Sequence, residues 1–181
     1  MLSLHLDIVI MIIAQQKRKE NIVEYLLYMW QVEDLIRACR FDMEEIEAQL
    51  LSKYEQPEAV MREIRQWYQE LIDEMKEEGI MEKGHLRQNN DTVSALNVLH
   101  DRLLRSSNET VYGSLYYKVL PAIVQLRAQA GDARTSEMET CLTAVYGYVL
   151  LKMQRKDISD ETTESVKDIS RLLAFLAAKY V

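Results

Sequence analysis

The stretch from residue 109 to residue 130, ETVYGSLYYKVLPAIVQLRAQA, decides the fold. On a helix its apolar side chains occupy two opposite sides, Leu115, Val119, Ala122 and Leu126 on one and Tyr117, Leu120 and Val124 on the other. A helix that is apolar nearly all round is usually packed on several sides, so this segment predicts the central helix of a bundle. Pro121 removes a backbone donor in its middle and predicts a kink.

Amphipathic helical patterns flank this segment in both directions, and local capping signals mark their ends. The predicted helices are residues 15–40, a short helix from Asp42, one from Pro57 to Gly79, one ending near Arg105, one from Ser136 to about Arg155 and a last one from Ser159. No run alternates with period two, so no sheet is expected. The sequence therefore predicts an all-α fold, an antiparallel bundle of six or seven helices in a single domain.

Composition narrows the class of protein. The chain has 181 residues, 48% of them hydrophobic, and a net charge of −7, which is typical of a globular protein. This charge argues against nucleic-acid binding, which needs a basic footprint. Residues 42–82 contain 13 acidic and four basic residues, so they carry −9 and the rest of the chain +2. Such a segment is either a solvated helix face or a docking surface for a basic partner.

The apolar beginning of the chain, MLSLHLDIVIMIIA, resembles a secretory signal only superficially. Its basic cluster follows the apolar run instead of preceding it, and the run is too short to span a bilayer. We expect residues 1–10 to be a dispensable extension, with Met11 as an alternative start and one domain over residues 11–181. Cys39 and Cys141 lie on apolar helix faces without a CxxC partner, which predicts reduced, buried thiols in a cytoplasmic protein.

Glu33 breaks the apolar face of the first helix, where it projects between Ile22 and Leu26. A buried lone carboxylate is costly, so Glu33 needs a partner. Arg37, one turn later, is the nearest candidate for an ion pair. The alternative is a carboxylate that lines a polar, ligand-binding pocket together with Arg37, Tyr25 and Trp30.

His100 is the second exception, because it falls among leucines and a valine on one helix face. Such a histidine is usually a hydrogen-bonded core residue, and a ligand-binding role is the alternative. The spacing of Glu82 and His85 matches half of a di-iron motif, but Gly84 interrupts this one copy. The sequence therefore predicts neither a metal site nor a cofactor, and it offers no catalytic residue.

Two segments resemble the same known family, AQQKRKENIVEYLLYMWQVEDLIRA at residues 14–38 and REIRQWYQELIDEMKEEG at residues 62–79. This family comprises small proteins of unknown function from Bacteroidetes, and the resemblance covers the chain from about Met11 onward. It implies an all-helical cytoplasmic protein with no assigned activity.

Three functions fit these observations. The first is a non-enzymatic interaction or scaffold protein that binds another protein or itself. The second is an enzyme or small-molecule binder with a polar pocket between helix 1 and the central helix. The third is a helical adaptor that uses its acidic segment. We expect no membrane partner.

Overall fold

The computed structural model describes residues 9–53, 56–131 and 135–180. Within them lie a short 3₁₀ helix, Leu51–Lys53, and eight α-helices: α1 (Val9–Glu20), α2 (Ile22–Ala38), α3 (Met43–Gln49), α4 (Glu58–Glu77), α5 (Arg87–Arg105), α6 (Thr110–Ala130), α7 (Glu137–Met153) and α8 (Asp160–Lys179). These residues contain no strand, and the predicted all-α class is confirmed. None of the helices in this part of the chain is both long and apolar enough to cross a bilayer.

The described residues form eight α-helices rather than six or seven because the predicted first helix is divided at Asn21. Asn21 has an extended backbone, with φ −153°, and its side chain accepts hydrogen bonds from the amides of Val23 and Glu24. It therefore caps α2 and separates it from α1. The apolar pattern alone did not reveal this boundary, because it continues across Asn21.

The other predicted helix ends depend on local caps, and most of them are confirmed. Asp42 accepts from the amide of Glu44, Ser136 from that of Glu139 and Ser159 from that of Thr162. Gly131 ends α6 in the left-handed conformation, with φ 68°. Each cap satisfies backbone groups that a helix end leaves without partners.

The chain divides into two compact units, Met1–Asn90 and Asp91–Val181, which we call the N-terminal and C-terminal units. The prediction of one domain over residues 11–181 stays a prediction, and residues 1–8 of the proposed extension lie outside the described residues. In the N-terminal unit α1 packs against α2 and α4, and α3 packs against α4. The largest fully buried side chains there include Trp30, Leu26, Ile36, Ile64, Tyr68, Ile72 and Met75.

In the C-terminal unit α6, α7 and α8 pack against one another. Two ion pairs join α6 and α8. Lys118 of α6 pairs with Asp168 of α8 at 2.8 Å, and Lys179 of α8 pairs with Glu109, the N-cap residue of α6, at 2.7 Å. The core of this unit contains mainly Val93, Leu96, Leu99, Tyr112, Val119, Ile123, Leu142, Ile169, Leu172 and Leu176.

The prediction that α6 lacks a wet face is wrong. Tyr117 is 69% exposed and Val124 59% exposed, and both belong to the side that the sequence assigned to a second packing surface. A hydropathy pattern shows which side chains are apolar. It does not show whether another helix of the same chain packs over them. The helix runs without interruption through Pro121.

Candidate functional site

Glu33 is fully buried, and its carboxylate is anchored by three groups from the segment that opens α5. Oε2 lies 2.6 Å from Nδ1 of His85. Oε1 accepts from the backbone amide of Leu86 at 3.1 Å and from the side-chain amide of Asn89 at 2.7 Å. This carboxylate therefore has partners for both oxygens, as a buried charge requires.

The ring of His85 is held from a second direction by Trp30. The two rings are stacked, with centroids 4.1 Å apart and planes 10° apart. Since Nδ1 is directed to Glu33, the imidazole is fixed in both position and orientation. We call this group of contacts among Trp30, Glu33, His85, Leu86 and Asn89 the clamp.

Tyr25 lies near the same cluster. It is buried, and the loss of hydration raises the pKa of its hydroxyl, an effect that Arg18 partly opposes and that Glu33 and Glu74 reinforce. The guanidinium of Arg18 lies 5.5 Å from the centroid of the Tyr25 ring. Tyr25 is thus a neutral, packed side chain at neutral pH.

Arg37 does not pair with Glu33, and this expectation is corrected. Its guanidinium donates to Asp34 at 2.9 Å, to the carbonyl of Ile80 at 3.1 Å and to the carbonyl of Gly84. Residues one turn apart lie on the same face of a helix, so the two side chains could have met. Instead, the loop after α4 provides backbone carbonyls that bind Arg37, while His85 and the amide of Leu86 bind Glu33. Each side chain therefore binds a different part of that loop.

The N-terminus of α5 is fixed by this arrangement. α5 begins at Arg87, directly after the segment that Glu33 binds. The carboxylate of Glu33, from another helix, accepts from Leu86 just before the first turn, where an anion is favoured. The start of α5 is thus bound by two carboxylates, that of Glu33 at the amide of Leu86 and that of Glu78 at the amide of Arg87.

His100 anchors a second buried network, in the C-terminal unit. It is 3% exposed, and its Nδ1 lies 2.6 Å from the hydroxyl of Tyr112 while Nε2 lies 3.2 Å from Oε2 of Glu137. The hydroxyl of Tyr116 donates to the other oxygen of Glu137 at 3.2 Å. A neutral imidazole with its proton on Nε2 satisfies both neighbours: Tyr112 donates to Nδ1, and Nε2 donates to Glu137.

Burial makes the hydroxyls of two tyrosines and the thiol of one cysteine in this unit weaker acids than usual. Burial raises the pKa of Tyr112 above its usual range, that of Tyr116 to about 12 and that of Cys141 to about 12. All three stay protonated at neutral pH, and an unreactive thiol is the usual state of a buried structural cysteine. Cys39 and Cys141 are both free and buried, as predicted.

The structure thus brings together four of the five candidate residues. Glu33, Trp30, Tyr25 and Arg37 belong to the N-terminal unit, in or beside the clamp. His100 belongs to the C-terminal unit and has its own partners. A ligand-binding role for the five remains a proposal.

Comparison with known proteins gives a family but no activity. The sequence model of a family described as a domain of unknown function (DUF4924) matches residues 11–181. The chain belongs to the DUF4924 family. No curated protein and no solved structure matches the chain. The family match agrees with the resemblance found in the sequence, and the function of this DUF4924 protein is unknown.

Sequence reasoning missed the two side chains that complete the clamp of this DUF4924 chain. The sequence pattern singled out His85 only as half of a metal motif, and it gave no sign of Asn89, which is fully buried. They lie 52 and 56 residues from Glu33, beyond the reach of any helical periodicity. The sequence did indicate that a buried Glu33 needs hydrogen-bond partners, but it did not indicate which residues they are. Among the described residues, no group of three or more acidic, histidine or cysteine side chains could hold a metal ion.

Side chains of the acidic segment make polar contacts with one another. Gln66 donates to Glu70, Gln69 donates to Asp73, and Arg65 pairs with Glu58 and Glu47. The two glutamine contacts, each one turn apart on α4, are typical of a solvated helix face, and Arg65 joins α4 to Glu47 of α3. They favour the solvated-face interpretation over the docking interpretation for residues 42–82.

Proposed function

We propose that this protein is a non-enzymatic helical interaction protein that associates with a second copy of itself through the outer face of α6. The observation that carries the proposal is the exposure of Tyr117 and Val124, at 69% and 59%. Pro121 and Ala128 are also exposed and continue the same face at a spacing of three to four residues. Single exposed apolar side chains are ordinary, whereas a contiguous stripe indicates a contact surface.

The distribution of apolar exposure supports the C-terminal unit as the interacting part. Among the described residues, the large exposed hydrophobic side chains of this unit are Val98, Val111, Tyr117, Val124, Val149, Leu151 and Met153, whereas the N-terminal unit contributes Met81. The distribution of charge also supports the C-terminal unit as the interacting part. Residues 91–181 contain 11 acidic and 11 basic residues, so their net charge is zero. The N-terminal unit carries the whole −7, which would oppose close approach of two copies there.

The stripe suits a two-fold contact. Tyr117 and Val124 are seven residues apart, about 10 Å along the helix. If two α6 helices meet antiparallel about an axis near Pro121, Tyr117 of each copy faces Val124 of the other, which makes the contact self-complementary. Lys118 lies beside this axis, but its charge is already paired with Asp168, so repulsion between the two copies is small.

Sedimentation of the purified protein over a range of concentrations tests the proposal. We expect a dimer for the wild type and a monomer for Val124→Glu. Each buried valine contributes about 1.5 kcal/mol and occurs twice in a two-fold contact, so association should weaken at least ~100-fold. Val98→Glu, at a valine on α5 that is even more exposed, at 71%, is the control and should leave the dimer intact. A monomeric wild type, or equal effects of the two variants, would contradict the proposal.

Two free, buried thiols support a cytoplasmic location as part of this proposal, because reducing compartments keep such cysteines unpaired.

A further inference from the structure

A cleft of about 590 Å³ opens within the C-terminal unit, between the second half of α6, one face of α7 and the first half of α8. Its volume falls within the range of about 300–1,000 Å³ that is typical of small-molecule sites. The cleft is distinct from the α6 stripe, because neither Tyr117 nor Val124 lines it.

Gly147 lines this cleft and has no evident structural reason to be glycine. It lies inside α7 with ordinary helical geometry, and a Cβ atom added there would meet nothing within 4 Å. Glycine inside a helix destabilises it by about 1 kcal/mol relative to alanine. Packing within the fold therefore does not require the loss of helix stability that Gly147 causes. The glycine leaves space beside the backbone of α7, and a ligand could occupy that space.

The lining indicates the chemistry of that occupant. The cleft has an apolar part, which includes Leu126, Ala144, Leu151, Val166 and Ile169, and an aromatic ring from Tyr148. Facing the same space are neutral hydroxyl and amide side chains, among them Thr143, Thr162, Ser165, Gln125 and Gln129.

The charged and polar side chains of the lining narrow the chemical class of the ligand further. The charged lining residues are Arg127, Glu139 and Glu161, and this mixture of signs favours neither a strongly anionic nor a strongly cationic ligand. A groove that receives an amphipathic helix presents mainly apolar side chains, whereas this lining mixes apolar and hydrogen-bonding groups. We propose that the cleft is a binding site for an uncharged small molecule with an apolar, ring-sized body and a hydrogen-bonding edge.

The test uses prodan, a neutral naphthalene dye with a ketone acceptor, whose fluorescence rises in apolar sites. We expect the wild type to bind one prodan per chain, and Gly147→Leu, which fills the cleft, to weaken binding at least about tenfold. The matched control is Gly113→Leu on α6, because a Cβ there also meets nothing within 4 Å but the residue lies outside the cleft. This control should bind like the wild type, and the anionic dye anilinonaphthalene sulfonate should bind more weakly than prodan.

Equal prodan binding by the wild type and Gly147→Leu would overturn the proposal, as would equal losses in both glycine variants or stronger binding of the anionic dye. Gly147→Leu should keep its melting temperature, since leucine is a better helix former than glycine. The result is separable from self-association: Val124→Glu should bind prodan normally, and Gly147→Leu should sediment like the wild type.

Discussion

At the scale of single residues, the molecule depends on two buried polar clusters, and each contains one ionisable group that the sequence singled out. Glu33 binds His85, Leu86 and Asn89. His100 binds Tyr112 and Glu137. In both clusters the hydrogen bonds offset the free energy that is lost when a polar group is buried. Removing Glu33 or His100 should therefore lower the free energy of unfolding more than removing an exposed residue.

Glu33→Ala should lower the free energy of unfolding by about 3 kcal/mol, because it leaves the amides of Leu86 and Asn89 buried without an acceptor. Glu33→Gln should cost about 1 kcal/mol, since its carbonyl oxygen can still accept from both amides. Denaturant unfolding measures both values. Hydrogen exchange at the Leu86 amide should accelerate most in Glu33→Ala. Glu24→Ala, at an exposed carboxylate of the same helix, is the control, and a loss as large as that of Glu33→Ala would contradict the clamp.

His100 should make the protein sensitive to mild acid. Burial lowers the pKa of His100 below its ordinary 6.5, although Glu137 and Asp101 oppose the shift. The unfolded chain therefore binds a proton at a higher pH than the folded chain. Stability should fall as the pH drops below about 6.5, and the loss should stop below the folded-state pKa.

The measurement is the unfolding free energy of the wild type and of His100→Gln between pH 8 and pH 4. The difference between the two proteins isolates His100 from other titrating groups. We expect the wild type to lose its advantage as the pH falls. A difference that stays constant across this range would contradict the assignment of a neutral, buried imidazole.

At the scale of helices, the divided first helix shows what one side chain can do. Asn21→Ala should destabilise the protein by about 1 kcal/mol, because the amides of Val23 and Glu24 lose their acceptor. Thermal unfolding monitored by circular dichroism measures the effect. Asn108→Ala, at an exposed asparagine outside the helices, should change the melting temperature little. If the two substitutions had equal effects, the α1–α2 boundary would not depend on this cap.

The helices also show which features a sequence can reveal. Asp42, Ser136 and Ser159 marked helix starts correctly because each cap acts on backbone within a few residues. The partners of Glu33 were not predictable in this way, because tertiary packing alone brings them to it. The exposed face of α6 was misjudged for a related reason: an apolar pattern records burial, and here the cover that we propose comes from a second copy.

At the scale of the whole molecule, the question is whether the two compact units unfold together. They share α5, whose first turn belongs to the N-terminal unit and whose remainder belongs to the C-terminal unit. The prediction of a single domain over residues 11–181 requires that the two units unfold in one step. The chain carries a natural probe for each unit, Cys39 in the first and Cys141 in the second.

Thiol labelling in native buffer should therefore be slow at both cysteines and should accelerate at both in Glu33→Ala. Both thiols are buried, and burial raises the pKa of each, that of Cys141 to about 12, so the reagent reaches a thiolate only when the structure opens. Mass spectrometry of digested samples gives the two rates separately. If loss of the clamp accelerated Cys39 alone, opening of the N-terminal unit would be independent of the C-terminal unit, and the single-domain prediction would be wrong. Parallel acceleration of Cys39 and Cys141 would mean that the two units open together, as the single-domain prediction requires.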